Sequence, residues 1–193
     1  MPIALASSSA IRRAMLEQAG IDFTVVDVEV DERSAKARVS DPVEVARALA
    51  EVKAVEGSRA SPGDWSIGGD SVVTVDGRMF SKPLDRSEAT GHLRAFSGRQ
   101  MRLTSAVAIA RDGELEWSCC DTAVLQVRPL SERFIEDYLG AEWPEVGYCV
   151  GVFRLEGRGV QLFDHIDGSY FTILGMPLVP LLGALRERGA IPS

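Results

Sequence analysis

Five stretches of the chain repeat their apolar positions with the period of a helix. "SSSAIRRAMLEQAG" predicts a helix with a serine cap and with Gly20 as its stop. "DPVEVARALAEVKAVEG" predicts a second helix, with Asp41 before Pro42 at its start and Gly57 at its end. Three further helices are predicted over "RSEATGHLRAFSG", "LSERFIEDYLG" and "PLVPLLGALRERG".

The second predicted helix carries an apolar stripe. Val45, Leu49 and Val52 recur at i, i+4 and i+7, which is the spacing of one buried helix face. Lys53 follows Leu49 by four residues. We therefore expect Lys53 to border this stripe rather than to face open water.

Strand-like segments lie between the predicted helices. "PIALA" and "FTVVDVEV" predict short strands on either side of the first helix. "MRLTSAVAIARDGELEWSCCDTAVLQVR" predicts two long strands around Asp112-Gly113, and "VFRLEGRGVQLFDHIDGSY" predicts two more. The mixture favours an α/β or α+β class with a mixed sheet, in a single domain over residues 1–193.

The segment "GGDSVVTVDGRMFSKP" predicts a hairpin with two possible registers. A two-residue loop at Asp76-Gly77 would leave Asp70 and Lys82 on opposite faces, because side chains alternate along a strand. A three-residue loop would place Asp70 directly across from Lys82. We predict the second register because it gives the pair a shared site, although an ordinary cross-strand ion pair would have the same appearance.

Two glycines, Gly68 and Gly69, come directly before Asp70. Glycines at such a position allow close approach of the backbone by a ligand or by another chain segment. The serines that join the first strand to the first helix are a second notable feature, since a helix start directs free N–H groups at one spot. That join suits an anion.

The charge of the chain limits its partners. Its net charge is -7, and its 21 cationic residues include only the lysines Lys36, Lys53 and Lys82. An acidic protein is a poor partner for a nucleic-acid polymer, because binding a phosphate backbone needs an extended cationic surface. An anionic ligand must therefore be bound by a local group of cations.

The cysteines and apolar segments suggest a reduced cytoplasm. Cys119, Cys120 and Cys149 form neither a disulfide framework nor a zinc spacing, and we expect them to be buried apolar side chains. The N-terminal segment has too few consecutive apolar residues for the hydrophobic region of a signal peptide, and we expect no membrane span. P-loop and Rossmann motifs are absent from the sequence, and a Ser-His-Asp hydrolase has little support.

Taken in order, several blocks together resemble the Maf family of nucleoside triphosphate pyrophosphatases over nearly the whole chain. The blocks are "LASSSAIRRAMLEQAGIDF", "VDE" at 30–32, "ARALAEVKA", "GGDSVV", "SKPLDR", "VGVFRLEGRGVQLF", "IDGSY" and "ILGMPL". The resemblance implies hydrolysis between the α and β phosphates of a nucleotide, with a divalent cation such as Mg²⁺ or Mn²⁺. It also implies a fold like that of the inosine-triphosphatase group, with two lobes and a central cleft, and a possible homodimer.

The resemblance also assigns roles by position. Asp70 falls on the general base of the family, and Glu32 falls on an acidic residue that, with Asp70, would hold the metal. The positions implied for substrate binding are Ser7, Ser8, Arg12, Arg13, Lys53 and Lys82. Glu156 stands where the thymidine- and uridine-triphosphate branch has glutamine, and a glutamate there resembles the branch that acts on 7-methyl-GTP.

Glu156 fits a methylated guanine if it meets the base, since a carboxylate offers only acceptors to the N1–H and N2–H groups. It could instead meet metal or ribose. Alternative functions are a dTTP or UTP pyrophosphatase of the same family, a low-turnover nucleotide-binding regulator of cell division, and a phosphatase that releases orthophosphate. The expected role is removal of unwanted nucleotides in the cytoplasm.

Overall fold

The computed structural model describes residues 2–30 and 40–192. Its helices are α1 (Ala10–Gln18), α2 (Pro42–Ala60), α3 (Arg86–Phe96), α4 (Glu132–Glu142), α5 (Tyr170–Leu174) and α6 (Leu178–Glu187), with 3₁₀ turns at Glu145–Tyr148 and Arg158–Leu162. Its strands are β1 (Ile3–Ala6), β2 (Thr24–Val25), β3 (Trp65–Val75), β4 (Arg78–Phe80), β5 (Gln100–Arg111), β6 (Glu114–Val127) and β7 (Phe163–Asp167).

The strands pair in the order β2-β1-β3-β5-β6-β7, and β4 pairs with β3. β1 is parallel to both β2 and β3, whereas β4 is antiparallel to β3 and β7 is antiparallel to β6. The predicted α/β class with a mixed sheet is therefore confirmed. None of the helices in the described ranges is long and apolar enough to cross a membrane.

The chain forms two compact units. Unit 1 consists of residues 1–71, 104–121 and 170–193, and unit 2 consists of residues 72–103 and 122–169. In unit 1, Met15 and Leu16 of α1 and Leu181 and Leu185 of α6 pack with side chains of β1, β3 and β5 in one apolar core. α2 packs closely on β1, and its residues are not part of this core.

α2 ends three residues later than predicted, because Gly57 is a packing residue and not a stop. A Cβ at Gly57 would overlap Ser66 Oγ and would lie 2.6 Å from the Ala6 Cβ, so a larger side chain would separate the helix from β1 and β3. The predicted stripe is correct at Val45 and Leu49, which are buried, and wrong at Val52, which is 43% exposed.

The hairpin register predicted from the sequence was wrong. Val75 pairs with Arg78 and Val73 pairs with Phe80, so the loop has two residues, and β4 ends before Lys82. Asp76 and Gly77 both have positive φ, at 50° and 77°. This is the conformation of a type I′ turn, whose twist matches the twist of the strands that it joins. The ladder does not place Asp70 across from Lys82.

Two other segments differ from prediction. The segment "FTVVDVEV" contributes only Thr24–Val25 to the sheet. The region after Val152 forms a turn and a 3₁₀ helix before a single strand, β7. The cause is the close packing of Gly159 against the Arg154 backbone, since a Cβ on Gly159 would lie 2.7 Å from the Arg154 nitrogen. The short helix α5 was not predicted.

Candidate functional site

Asp70 and Lys53 form a close ion pair in unit 1. Lys53 Nζ donates to Asp70 Oδ1 over 2.7 Å. The side chains are only 15% and 11% exposed, for Lys53 and Asp70 respectively. Lys53 borders the buried stripe of α2, as predicted. The pair lies where water is partly excluded, so its electrostatic interactions are stronger than at an open surface.

The backbone around Asp70 explains how Lys53 reaches it. A Cβ at Gly68 would overlap the backbone of Ala50 and Ala54 in α2, so glycine lets the helix lie directly on β3. The ladder between β1 and β3 ends at the pair Ala6–Gly68, two residues before Asp70. Asp70 therefore lies just beyond the carboxyl end of β1, which is where ligands bind in many sheets with parallel strands.

Gly69 accommodates Arg12 on the opposite face of β3. A Cβ at Gly69 would lie 3.1 Å from Arg12 Nε and 3.3 Å from Arg12 Cδ. Of the two alternatives for the Gly-Gly pair, the structure supports close approach by other chain segments, with α2 at Gly68 and Arg12 at Gly69. Arg12 and Lys53 lie on different sides of the strand that carries Asp70.

The serine turn lies between β1 and α1. Ser7 is buried, and its Oγ accepts from the Ser9 N–H over 3.3 Å and from Arg12 Nη1 over 3.3 Å. Ser8 and Arg13 are exposed. Ser9 precedes the helix with an extended backbone and makes no side-chain cap bond. The exposed hydroxyl of Ser8 and the guanidinium of Arg13 are placed where an anion in solvent can reach them.

Lys82 and Glu156 lie near a common neighbour in unit 2. The pKa of the Cys149 thiol is raised to about 11, chiefly by burial and also by the charge of Glu156, while Lys82 and Arg154 oppose the rise. Both Lys82 and Glu156 are exposed. The sequence predicted a functional role for each of these two residues, and their charges act on the same thiol.

The turn that carries Glu156 is held by ion pairs with a buried carboxylate. Glu142 is 10% exposed at its side chain and lies 3.8 Å from Arg154 Nε and 3.9 Å from Arg158 Nε. The Gly157 N–H donates to the Arg154 carbonyl over 3.2 Å and closes the turn. The backbone at Glu156 is thus anchored on both sides, while its carboxylate is left exposed.

Residues 2–188 match the protein family described as Maf-like protein. The chain belongs to the Maf family. This Maf chain is 44% identical over 198 residues to the nucleoside triphosphate pyrophosphatase of Sphingopyxis alaskensis, and the alignment covers 100% of both proteins. It is 44% identical over 191 residues to the 7-methyl-GTP pyrophosphatase of Rhizobium etli, with 97% of this chain and 96% of the relative covered. The resemblance that the sequence blocks suggested is confirmed.

Among solved structures, the Maf chain is similar to a HAM1 protein from Coxiella burnetii, with 18% identity and a TM-score of 0.46. That similarity covers 66% of this chain and 73% of the other. It is also similar to a dITP/XTP pyrophosphatase from Mycobacterium abscessus, with 20% identity, the same two coverages and a TM-score of 0.40.

The residues of the Maf chain are compatible with a divalent cation that arrives with a nucleotide. Within the described ranges, no group of three or more His, Cys, Asp or Glu side chains could hold a metal ion. Mg²⁺ is commonly bound by one or two carboxylates together with substrate phosphates, so the carboxylate of Asp70 is a suitable partner. Glu32, the second predicted metal ligand, lies outside the described residues.

Sequence reasoning missed several polar residues beside the predicted ones in each unit of the Maf chain. Ser71 and Ser105 in unit 1 are hydrogen-bonded to each other over 2.9 Å, and Ser71 also accepts from Arg12. In unit 2, the charges of Arg154 and Glu156 act in opposite directions on the pKa of the Cys149 thiol. Isolated serines, cysteines and arginines carry no spacing signal, so the sequence alone gave no reason to select them.

Proposed function

We propose that this chain is a nucleoside triphosphate pyrophosphatase that converts a nucleotide to its monophosphate and pyrophosphate. The observation that carries the proposal is the full-length identity of 44% to a curated nucleoside triphosphate pyrophosphatase. The arrangement of Lys53 and Asp70 beside the serine turn supports it, because it supplies a carboxylate and cations at the end of a parallel strand.

Asp70 is the proposed general base. One carboxylate oxygen is held by Lys53, and this bond fixes the orientation of the side chain. The second oxygen accepts a proton from water as the water oxygen bonds to the α-phosphorus. The bond from the α-phosphorus to the α–β bridging oxygen breaks, and pyrophosphate leaves with that electron pair.

The cations and N–H groups of the chain bind the triphosphate. Lys53 offsets the repulsion between Asp70 and the incoming phosphates, since its ammonium is 2.7 Å from that carboxylate. Arg13 and Ser8 are exposed next to the start of α1, where the helix dipole favours an anion. Lys82, which is exposed in unit 2, stays a predicted substrate-binding residue.

A divalent cation, Mg²⁺ or Mn²⁺, would be held by Asp70 and by Glu32. When bound, such an ion stabilises negative charge on phosphate oxygens and makes bound water more acidic. Asp70 would then serve both as a ligand and as the group that orients the attacking water.

A 7-methyl-GTP-like nucleotide is the proposed substrate. Relatives that are 44% and 43% identical, from Rhizobium etli and Rhizobium meliloti, are named 7-methyl-GTP pyrophosphatase. Glu156 is exposed on an anchored turn, and its carboxylate can accept from guanine N1–H and N2–H while favouring the positive charge of the methylated ring. We place the enzyme in the cytoplasm, because that is where it would remove such nucleotides. The homodimer implied by the resemblance stays a prediction.

The deciding experiment is a substrate panel with the purified chain. GTP, 7-methyl-GTP, dTTP and UTP are incubated with Mg²⁺ or Mn²⁺, and pyrophosphate and orthophosphate are measured separately. The expected result is stoichiometric monophosphate and pyrophosphate, fastest with 7-methyl-GTP. Fastest release from dTTP or UTP would favour the other family branch, orthophosphate would indicate a γ-phosphatase, and tight binding without turnover would favour a regulator.

A further inference from the structure

The guanidinium of Arg12 donates hydrogen bonds to three neutral acceptors of unit 1. Its Nε donates to the Gly175 carbonyl over 2.8 Å, and its Nη2 donates to Ser71 Oγ over 2.9 Å. Its Nη1 donates to Ser7 Oγ over 3.3 Å. The guanidinium thus links the serine turn, strand β3 and the loop that follows α5.

The hydroxyls behind Arg12 form a chain with a fixed direction. Ser105 Oγ donates its single hydrogen to the Thr172 carbonyl over 2.8 Å. In the 2.9 Å contact between Ser71 and Ser105, Ser71 is then the donor, and the Gly175 carbonyl at 3.3 Å is a second, longer acceptor for the same hydrogen. Hydrogen bonds consequently run from Arg12 to Ser71, then to Ser105, and then to the backbone of α5. Such chains strengthen each member in a buried setting.

The end of the network is also fixed. Thr172 is fully buried, and its Oγ1 donates to Asp121 Oδ2 over 2.5 Å. Ser105 is likewise 0% exposed, so no ligand in solvent can reach it. The network therefore extends from Arg12 through the partly buried Ser71 into the interior of unit 1, where Ser105 and Thr172 cannot touch a substrate.

Shape as well as hydrogen bonding holds Arg12 in place. Gly69 leaves room for its Nε and Cδ, as described above. Gly175 has a φ of 112°, and a Cβ there would lie 3.6 Å from Arg12 Nη2. A positive φ of this kind is strained for other residues, so the loop presents its carbonyl to Arg12 by means of a glycine conformation.

Ser71 is the residue through which this network reaches the proposed base. It follows Asp70 directly in β3, and adjacent strand side chains point to opposite faces. Ser71 is held by Arg12 and Ser105 on one face, while Asp70 is held by Lys53 on the other. A shift of β3 on the Arg12 side would move the Asp70 backbone by the same amount.

We propose that Arg12 is a positioning residue, which sets the place of Asp70 and of the serine turn, and that Arg13 is the member of this basic pair that binds the phosphates. This inference rests on the proposed function, since it assigns roles within that reaction. It replaces the role of substrate ligand that the resemblance implied for Arg12. A displacement of about 1 Å in a reacting group can cost about 10²-fold in rate, so a positioning residue affects kcat strongly.

The test separates kcat from binding. Arg12→Lys keeps the charge but loses the planar fork that reaches three acceptors, so we expect kcat to fall about 10- to 100-fold. Binding of the non-hydrolysable α,β-methylene analogue of GTP, measured by calorimetry, should change less than about 3-fold. Arg13→Gln should weaken that binding about 10-fold or more and raise KM by a similar factor.

A fully buried serine provides the variant that a direct phosphate contact cannot explain. Ser105→Ala should lower kcat by about 3- to 10-fold with unchanged analogue binding, and it should add little to Arg12→Lys in the double variant. Ser66→Ala is the matched control, because Ser66 is also 0% exposed and its Oγ makes no hydrogen bond within the described part of the chain. It should leave kcat unchanged.

Each outcome has a definite meaning. Weakened analogue binding in Arg12→Lys, or additive effects of Arg12→Lys and Ser105→Ala on kcat, would overturn the positioning role. A wild-type chain that neither hydrolyses nor binds any triphosphate would overturn the proposed function itself. Unfolding of each variant in urea shows whether a lower kcat merely reflects loss of folded protein, and a matching loss in folded fraction would also count against positioning.

Discussion

Lys53 donates to Asp70 across 2.7 Å, from a helix that lies against β3 through the bare backbone of Gly68. Both side chains of the pair are mostly buried. A lysine in this position has two effects on the proposed chemistry. It holds one carboxylate oxygen in a fixed direction, and it adds a positive charge close to the phosphates.

Removal of Lys53 alone should leave a buried carboxylate without its ammonium partner. We expect Lys53→Met to lower the free energy of unfolding by about 3 kcal/mol. Removing one partner of a buried ion pair leaves an unpaired buried charge, which destabilises the fold more than replacing both partners does. The double variant Lys53→Met with Asp70→Asn should recover part of that loss. Urea unfolding measures both values.

The exposed pair of Arg94 and Glu132 serves as the control for this comparison. Their side chains are 57% and 70% exposed, although Arg94 Nη2 lies 2.7 Å from Glu132 Oε2. Exposed ion pairs add little to stability, so Arg94→Met should unfold close to the wild-type urea midpoint. Equal losses from Lys53→Met and Arg94→Met would show that burial of the first pair is without consequence.

Asp70→Asn should remove the proposed base while keeping a hydrogen bond to Lys53. The amide oxygen of asparagine can still accept from Lys53, but the buried ammonium loses its charge partner, so we expect a lower thermal midpoint than in the wild type, and turnover is compared at a temperature where both proteins are folded. Turnover should fall about 10²-fold or more, while KM changes little. Pyrophosphate release under saturating substrate measures the effect. Near-normal turnover in this variant would refute the role of general base.

Glu156→Gln should alter the choice of nucleotide more than the rate of the reaction. Glutamine offers a donor as well as an acceptor, so it matches guanine less well and loses the attraction to a methylated ring. We expect kcat/KM for 7-methyl-GTP to fall about 10- to 100-fold relative to dTTP. Glu145→Gln, an exposed change in the 3₁₀ turn Glu145–Tyr148 of the same unit, is the control for loss of charge. An unchanged ratio would place Glu156 away from the base.

Two helical glycines should respond to alanine with opposite signs. Gly57→Ala in α2 should destabilise the chain by about 2 kcal/mol or more, because the new methyl group would overlap Ser66 and press on Ala6. Gly91→Ala in α3 has nothing within 4 Å of the new Cβ and should stabilise by about 0.5–1 kcal/mol. Thermal unfolding of both variants checks the signs, and equal shifts would contradict the packing role of Gly57.

The sequence predicted those parts of the fold that depend on local pattern. The starts of α1 and α2 and the turn between β5 and β6 lie where the serines, Asp41 with Pro42, and Asp-Gly predicted them, although Ser9 makes no side-chain cap bond. The ends were less predictable where tertiary packing decides. Glycine commonly ends a helix, yet Gly57 lies inside α2. It is glycine because β1 and β3 pack too closely on the helix there to leave room for a side chain.

The site was predictable in its members but not in its pairing. Lys53 and Asp70 were both identified, yet the sequence favoured Lys82 as the partner of Asp70 through a bulged hairpin. The observed register depends on the positive φ of Asp76, a choice between two turns that both contain Asp-Gly. Roles of Ser71 and Ser105 depend on contacts 34 residues apart, for which a single sequence holds no signal.

His92 should make the stability of the chain depend on pH. It is 8% exposed, packs edge-on against Phe80 at a centroid distance of 5.1 Å, and its pKa is lowered, chiefly by burial and also by Arg78, with Glu88 opposing. A group that binds its proton less readily when folded lowers stability as pH falls through the pKa of the unfolded chain, about 6.5. The free energy of unfolding should therefore decrease between pH 8 and pH 5.

His92→Phe isolates this contribution. Phenylalanine keeps the ring contacts with Phe80 and Phe96 and cannot titrate, so its stability should fall less than that of the wild type over the same range. The quantity to compare is the difference between the two unfolding free energies, measured in urea at half-unit steps of pH. That difference should be constant above about pH 7.5 and should shift in favour of the variant below about pH 6.5, where the unfolded histidine takes up its proton. Parallel curves for the two proteins would show that burial of His92 does not hinder its protonation.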